Sequence, residues 1–239
     1  MNVLVIDTAR IPDTDLGKRL YGLNDLSASD IARVMHTKNR EGGNDDSLPV
    51  YLCSVMTISG IIRTGDGVSL YRAAGHTASE PGLLEDLQKT IDGGIERVVA
   101  WDGYRTDFPL LNYRFLSRGM TNALSGKVDL VDLSADIKVG NGGDQPTLHE
   151  AAVMCGLPGN QGLSEYDIWR ACLDNNDEIV QNNCELNAVN SWLVYLANEI
   201  CRGNISRQQQ DMEYQLLQDY LVDTKKPHLV DFVQAWVSQ

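Results

Sequence analysis

The chain has 239 residues, 43% apolar and 22% charged, a mix that can bury a substantial core. Its 33 acidic residues outnumber 20 basic ones, giving a formal charge of −13. That excess argues against long-range capture of a nucleic-acid backbone, yet leaves open a nuclease whose metal site is itself built from carboxylates.

In chain order, Val3–Ile6 is a continuous apolar, β-branched run ending at Asp7, the pattern of a strand buried on both faces. Ile11-Pro12-Asp13 reads as a turn, residues 24–47 are polar, and Glu41–Ser47 is the expected loop. Pro49–Ile62 and Val68–Tyr71, joined by Gly65-Asp66-Gly67, predict an antiparallel pair. Leu83, Leu84, Leu87 and Ile91 have helical spacing, with Gly93-Gly94 as the stop. Val98–Trp101 predicts a short buried strand, Asp107-Phe108-Pro109 opens a helix that Gly119 ends, and Val128–Leu133 alternates like a strand. Gly140–Asp144 is glycine-rich but lacks the spacing of a phosphate cradle. From residue 147 the chain reads as helix: a capping box at Thr147 and Glu150, a stripe through Val189, Trp192, Leu193, Leu196 and Ile200, then helices around Tyr214–Leu221 and Pro227–Trp236. The expected fold is α/β, a mixed five-stranded sheet flanked by helices with a helical C-terminal third, forming one domain over residues 1–239. Five cysteines without a C-x-x-C pair favour neither a zinc ribbon nor a disulfide framework. No basic flank marks a signal peptide and no run reaches the ~20 apolar residues of a membrane span, so a cytoplasmic address without a membrane partner is expected.

Acidic residues stand at the ends of buried elements: Asp7 after the first strand, Asp107 at a helix start, Glu185 with Asn187 on the long C-terminal helix. Four segments carry a resemblance when taken in order: Ile6-Asp7-Thr8-Ala9-Arg10-Ile11-Pro12-Asp13, Trp101 to Arg114, Cys155-Gly156-Leu157-Pro158-Gly159-Asn160, and Asn183 to Leu193, with Lys226-Pro227-His228 as a tail. The chain resembles the predicted 3′–5′ exonucleases related to the exonuclease domain of family B DNA polymerases, in the DEDD group of the ribonuclease H-like fold.

That resemblance implies two divalent ions, Mg²⁺ or Mn²⁺, held by four carboxylates, with a tyrosine one helical turn before the last acid positioning water. Carried over, the first acid is Asp7 and the second-motif acid is Asp107. The position of the glutamate holds Ala9, the last acid is Asn187 and the tyrosine is Asn183. Asp102 replaces an asparagine and is a candidate substitute ligand, as are Asp13, Asp129 and Glu185. The residues that the resemblance places against a strand are Thr8, Ala9, Arg10, Gly103 and Tyr104, Arg10 standing where a phosphate contact or charge compensation is expected.

Two dications ~3.5–4 Å apart repel by ~17 kcal/mol at an effective dielectric of ~20, and Asp7 with Asp107 supplies two negative charges where four are needed. The leading expectation is therefore an exonuclease-like domain with a decayed two-metal site, binding at most one weak ion and retaining a groove for a nucleic-acid 3′ end or a partner protein. Two alternatives are an active metal-dependent exonuclease on single-stranded DNA or RNA using substitute ligands, and an interaction scaffold that has abandoned nucleic acid. His36, His76, His149 and His228 are scattered without a metal-ligand spacing.

Overall fold

A computed structural model describes residues 2–43, 46–73, 79–139 and 144–238. His76 and the glycine run 140–143 lie outside the described residues, as does part of the loop expected over Glu41–Ser47.

Five strands form one mixed sheet in the order β3-β2-β1-β4-β5. β1 (Val3–Pro12) is central, antiparallel to β2 (Cys53–Thr64), which pairs antiparallel with β3 (Gly67–Arg72). On its other side β1 runs parallel to β4 (Arg97–Ala100), and β4 parallel to β5 (Asp129–Asp132). Alternation along β1 divides the core. Leu4 and Ile6 pack with α3 (Glu80–Asp92) and α4 (Asp107–Ser117), through Leu84, Leu87, Leu111 and Phe115. Val3 and Val5 pack with α8 (Asp177–Cys201), α9 (Arg207–Asp223) and α10 (Pro227–Val237), through Val189, Trp192, Leu221 and Leu229. The period of 2 thus turns Asp7 and Ala9 toward the α8 side.

The expected turn at Ile11-Pro12-Asp13 is a correction. β1 continues through Pro12, opposite Cys53. Proline is tolerated at that strand end because no further ladder bond is asked of it. Asp13 then caps α1 (Thr14–Tyr21), its carboxylate accepting the Leu16 N–H at 2.9 Å. The polar stretch 24–47 likewise contains a helix, α2 (Ala28–Glu41), N-capped by Ser27. Its apolar contribution is only Ile31, Ala32 and Met35, enough to bury one narrow stripe. Pro49 begins a 3₁₀ turn (Val50–Leu52) ahead of β2, and Leu133 opens α5 (Leu133–Lys138) instead of ending the strand. α6 (Leu148–Met154) has the capping box at Thr147 and Glu150, and a second box at Ser164 and Asp167 starts α7 (Glu165–Leu173). Among the described residues no helix is long and apolar enough to cross a membrane, and all five cysteines are free thiols.

Two polar clusters fix the frame around the segments that carry the resemblance. Arg114 on α4, 3% exposed, donates to Glu80 at 2.6 and 2.7 Å, to Asp13 at 2.6 Å and to the Cys53 carbonyl at 3.3 Å. Glu80 also accepts from Arg118 and from the Val55 N–H. One guanidinium thereby ties the end of β1, the start of β2, α3 and α4 together. On the opposite side, fully buried Glu185 takes Lys226 Nζ at 2.6 Å and His228 Nε2 at 2.8 Å, clamping the start of α10 to α8.

Gly60 sits opposite Ile6 on β1 and Tyr71 on β3. A β-carbon there would stand 2.3 Å from the Val5 carbonyl oxygen. Backbone, unlike a side-chain tip, cannot rotate away, so Gly60→Ala must part β1 from β2. We expect a loss of about 2 kcal/mol or more in a denaturant titration. Wild-type stability in that variant would show that the ladder has slack here.

Candidate functional site

β1 delivers Asp7 from the middle of the sheet, and α4 delivers Asp107 as its first residue, just beyond β4. Asp107 is 7% exposed and well supported. Its Oδ1 accepts the Thr8 N–H at 3.1 Å and the Thr8 hydroxyl at 2.6 Å, and its Oδ2 accepts the Thr106 hydroxyl at 3.0 Å. Asp7 keeps a partial opening to solvent, with Oδ2 accepting from Asn187 Nδ2 at 3.3 Å and the Cys184 thiol beside it. Burial, then the charge of Asp107, pushes the Asp7 carboxyl up to about 8. Asp107 is also raised by burial, opposed by its bonds from Thr8 and Thr106 and by the positive charge of Arg10.

The wall facing these acids is made of amides. Asn183 and Asn187, one turn apart on α8, each accept from Asn160 Nδ2, at 3.0 and 2.8 Å. Asn160 therefore bridges the segment after α6 to α8, and Asn187 passes the chain of hydrogen bonds on to Asp7. Asn190 is fully buried and bonded to the Leu186 carbonyl. Asn183 and Asn187 are half-buried, so this face of α8 lines the cleft beside Asp7. Sequence reasoning missed Asn160 and Cys184 as members of this cluster. Cys184 lies three residues before Asn187, a spacing that places both on one helical face.

The other sequence-derived candidates separate. Ala9, 2% exposed, packs with Ile168, Ala171, Val180 and Cys184. A bulge between Ala9 and Arg10 shifts the register, and Arg10 pairs with Glu165 on α7 while its side chain stays largely enclosed. Asp102 is held by Arg105 at 2.8 Å, Asp13 by Arg114, Asp129 by Arg97 at 2.7 Å, and Glu185 by Lys226 and His228. Glu185 is two residues from Asn187, about 200° around the helix, so it faces away from Asp7. Gly103 lies tight against the Phe108 ring. Exposed Tyr104 stacks edge-on with Phe108, and its hydroxyl donates to the Leu130 carbonyl at 3.1 Å, on the β5 side of the sheet.

The donor set is two carboxylates, neutral amides and a thiol. Among the described residues no group of three or more His, Cys, Asp or Glu is placed to hold a metal ion. Two dications need about four negative charges around them, and this set offers two.

An acid in the middle of the central strand, a second at the start of the helix after the next parallel strand, and a long helix closing over both frame the candidate site. Residues 122–236 match the family described as "Predicted 3'-5' exonuclease related to the exonuclease domain of PolB". That span reaches into α10 and holds the Asn183–Leu193 segment and the Lys226–His228 tail; Asp7 and Asp107 lie before it. Among solved structures, the fold is similar to that of the family B DNA polymerase from the hyperthermophilic archaeon Pyrobaculum calidifontis, with a TM-score of 0.52 and 14% identity over 84% of this chain. The chain covers 24% of that polymerase's length. No curated protein matches.

Proposed function

We propose that this chain is an exonuclease-like domain whose two-metal centre has decayed and whose groove still receives a nucleic-acid 3′ end. The observation that carries the reading is the amide bridge. Asn160, Asn183 and Asn187 join α8 to Asp7 by neutral hydrogen bonds, where the family resemblance would have ions and acids. Ala9 reinforces it, since a methyl group inside an apolar cluster ligates nothing. Substitution by neighbouring acids is not favoured, because Asp102, Asp13, Asp129 and Glu185 are each engaged by a cation of the chain. What remains supports holding and orienting. Thr8 and Thr106 fix Asp107, and Arg10 offsets anionic charge near it.

The test changes Ala9→Glu and Asn187→Asp together and follows release of 3′ nucleotides with Mg²⁺ or Mn²⁺. The parent releases none, and the double variant acquires divalent-dependent release together with a rise in melting temperature on adding the ion. Robust digestion by the unaltered chain would overturn the reading.

A further inference from the structure

We propose that the cleft between α2, α7 and the end of β1 holds the single strand leading to the Asp7–Asp107 pair, base planes on Trp169 and Tyr166 and phosphates on Arg10, Arg33, Arg40 and Arg170. This rests on the nucleic-acid reading above and gives its strand a route.

The cavity is about 1100 Å³, at or beyond the ~300–1,000 Å³ typical of small-ligand pockets. Four of the chain's 20 basic residues line it, against the acids Asp46 and Glu165, in a molecule of net charge −13. The ion pairs of Arg33, Arg40 and Arg170 are exchangeable, while Arg10 is held by Glu165. Arg40 stands 3.5 Å from Asp46, Arg170 3.8 Å from Asp174, and Arg33, 77% exposed, pairs with Asp30 only one turn away. Exposed pairs of this kind contribute little, so phosphates can replace the carboxylates. Arg10 has a buried Nε with no hydrogen-bond partner among the described residues, and its charge is felt at Asp107. The cleft and the carboxylate pair therefore meet at Arg10.

The aromatic residues choose the occupant. Tyr166, 70% exposed, and Trp169 are three residues apart on α7 and share a face beside the arginines. An exposed tyrosine and a half-buried tryptophan next to guanidinium groups suit unpaired bases, whereas a duplex presents only its backbone and groove edges.

Fluorescence anisotropy with a 5′-labelled oligothymidylate of about ten nucleotides, and with the matching oligouridylate, tests the route without added divalent ion. The full-length parent binds, with affinity falling steeply as salt rises. Tyr166→Ala and Trp169→Leu each weaken binding about tenfold, and Arg33→Glu does likewise, while Lys89→Glu on α3 leaves it within about twofold. Thermal melts confirm that each variant is folded. Parent-like binding by all three cleft variants would overturn the route while leaving the nucleic-acid reading in place. Equal losses for Arg33→Glu and Lys89→Glu would overturn it too, by reducing the effect to net charge. Failure of the parent to bind either oligonucleotide at the lowest salt would remove both.

Discussion

Arg114→Met lowers the stability of the fold by about 3–5 kcal/mol, read as a shift in urea midpoint at unchanged slope. The size follows from what is left behind. Asp13 loses its cation while still buried, and Glu80 keeps only the Val55 N–H and Arg118, whose side chain is 42% exposed. Removing one member of a buried network costs more than removing the network, because an uncompensated charge stays in a poorly polarisable interior. The companion triple change Asp13→Asn, Glu80→Gln and Arg114→Met therefore recovers most of the loss. A triple variant as unstable as the single one would assign the effect to packing.

Asp7→Asn acts in the opposite direction and stabilises the chain. The Asp7 carboxyl lies near 3.8 when unfolded and is raised to about 8 by burial and by Asp107 in the fold. The folded state thus holds a proton that the unfolded state releases between those values. Stability from this group is complete below about pH 4 and is lost as pH rises toward 8. Asparagine removes the penalty and can still accept from Asn187 and Cys184. The expected gain is small at pH 4 and grows to about 2 kcal/mol or more at pH 8. Melts of both proteins across that range check it, and a gap that stays constant with pH would refute the assignment.

Much of this architecture is legible in the residues. Val3–Ile6 of β1 and Val98–Ala100 of β4 are buried on both faces, so these stretches are unbroken apolar runs, and the long stripe through Trp192 and Leu196 declares α8. The elements that escaped, α1, α2 and α5, are short or polar and announce themselves mainly by a capping side chain. Pro12 misled because a proline at a strand end and a proline in a turn look alike in one dimension. At the site, the spacing of Asn183 and Asn187 shows that they share a face, and the structure sets that face against Asp7. Side-chain direction was the unreadable part. Asp102 and Glu185 are acids close in sequence to the motifs, and only the fold reveals Arg105, Lys226 and His228 already upon them. Asn160 stood in a quoted segment, but a loop position carries no periodicity to say what it touches.

The bridge that Asn160 makes has a consequence for how such a centre can be rebuilt. Asn187→Asp alone sets a third acid beside two that already resist ionisation, and it exchanges an amide donor for a repelling oxygen. Ala9→Glu alone forces a carboxylate into the company of Ile168 and Val180. Each step taken singly weakens the chain before any ion can reward it, so the road back to a metal centre leads through less stable intermediates.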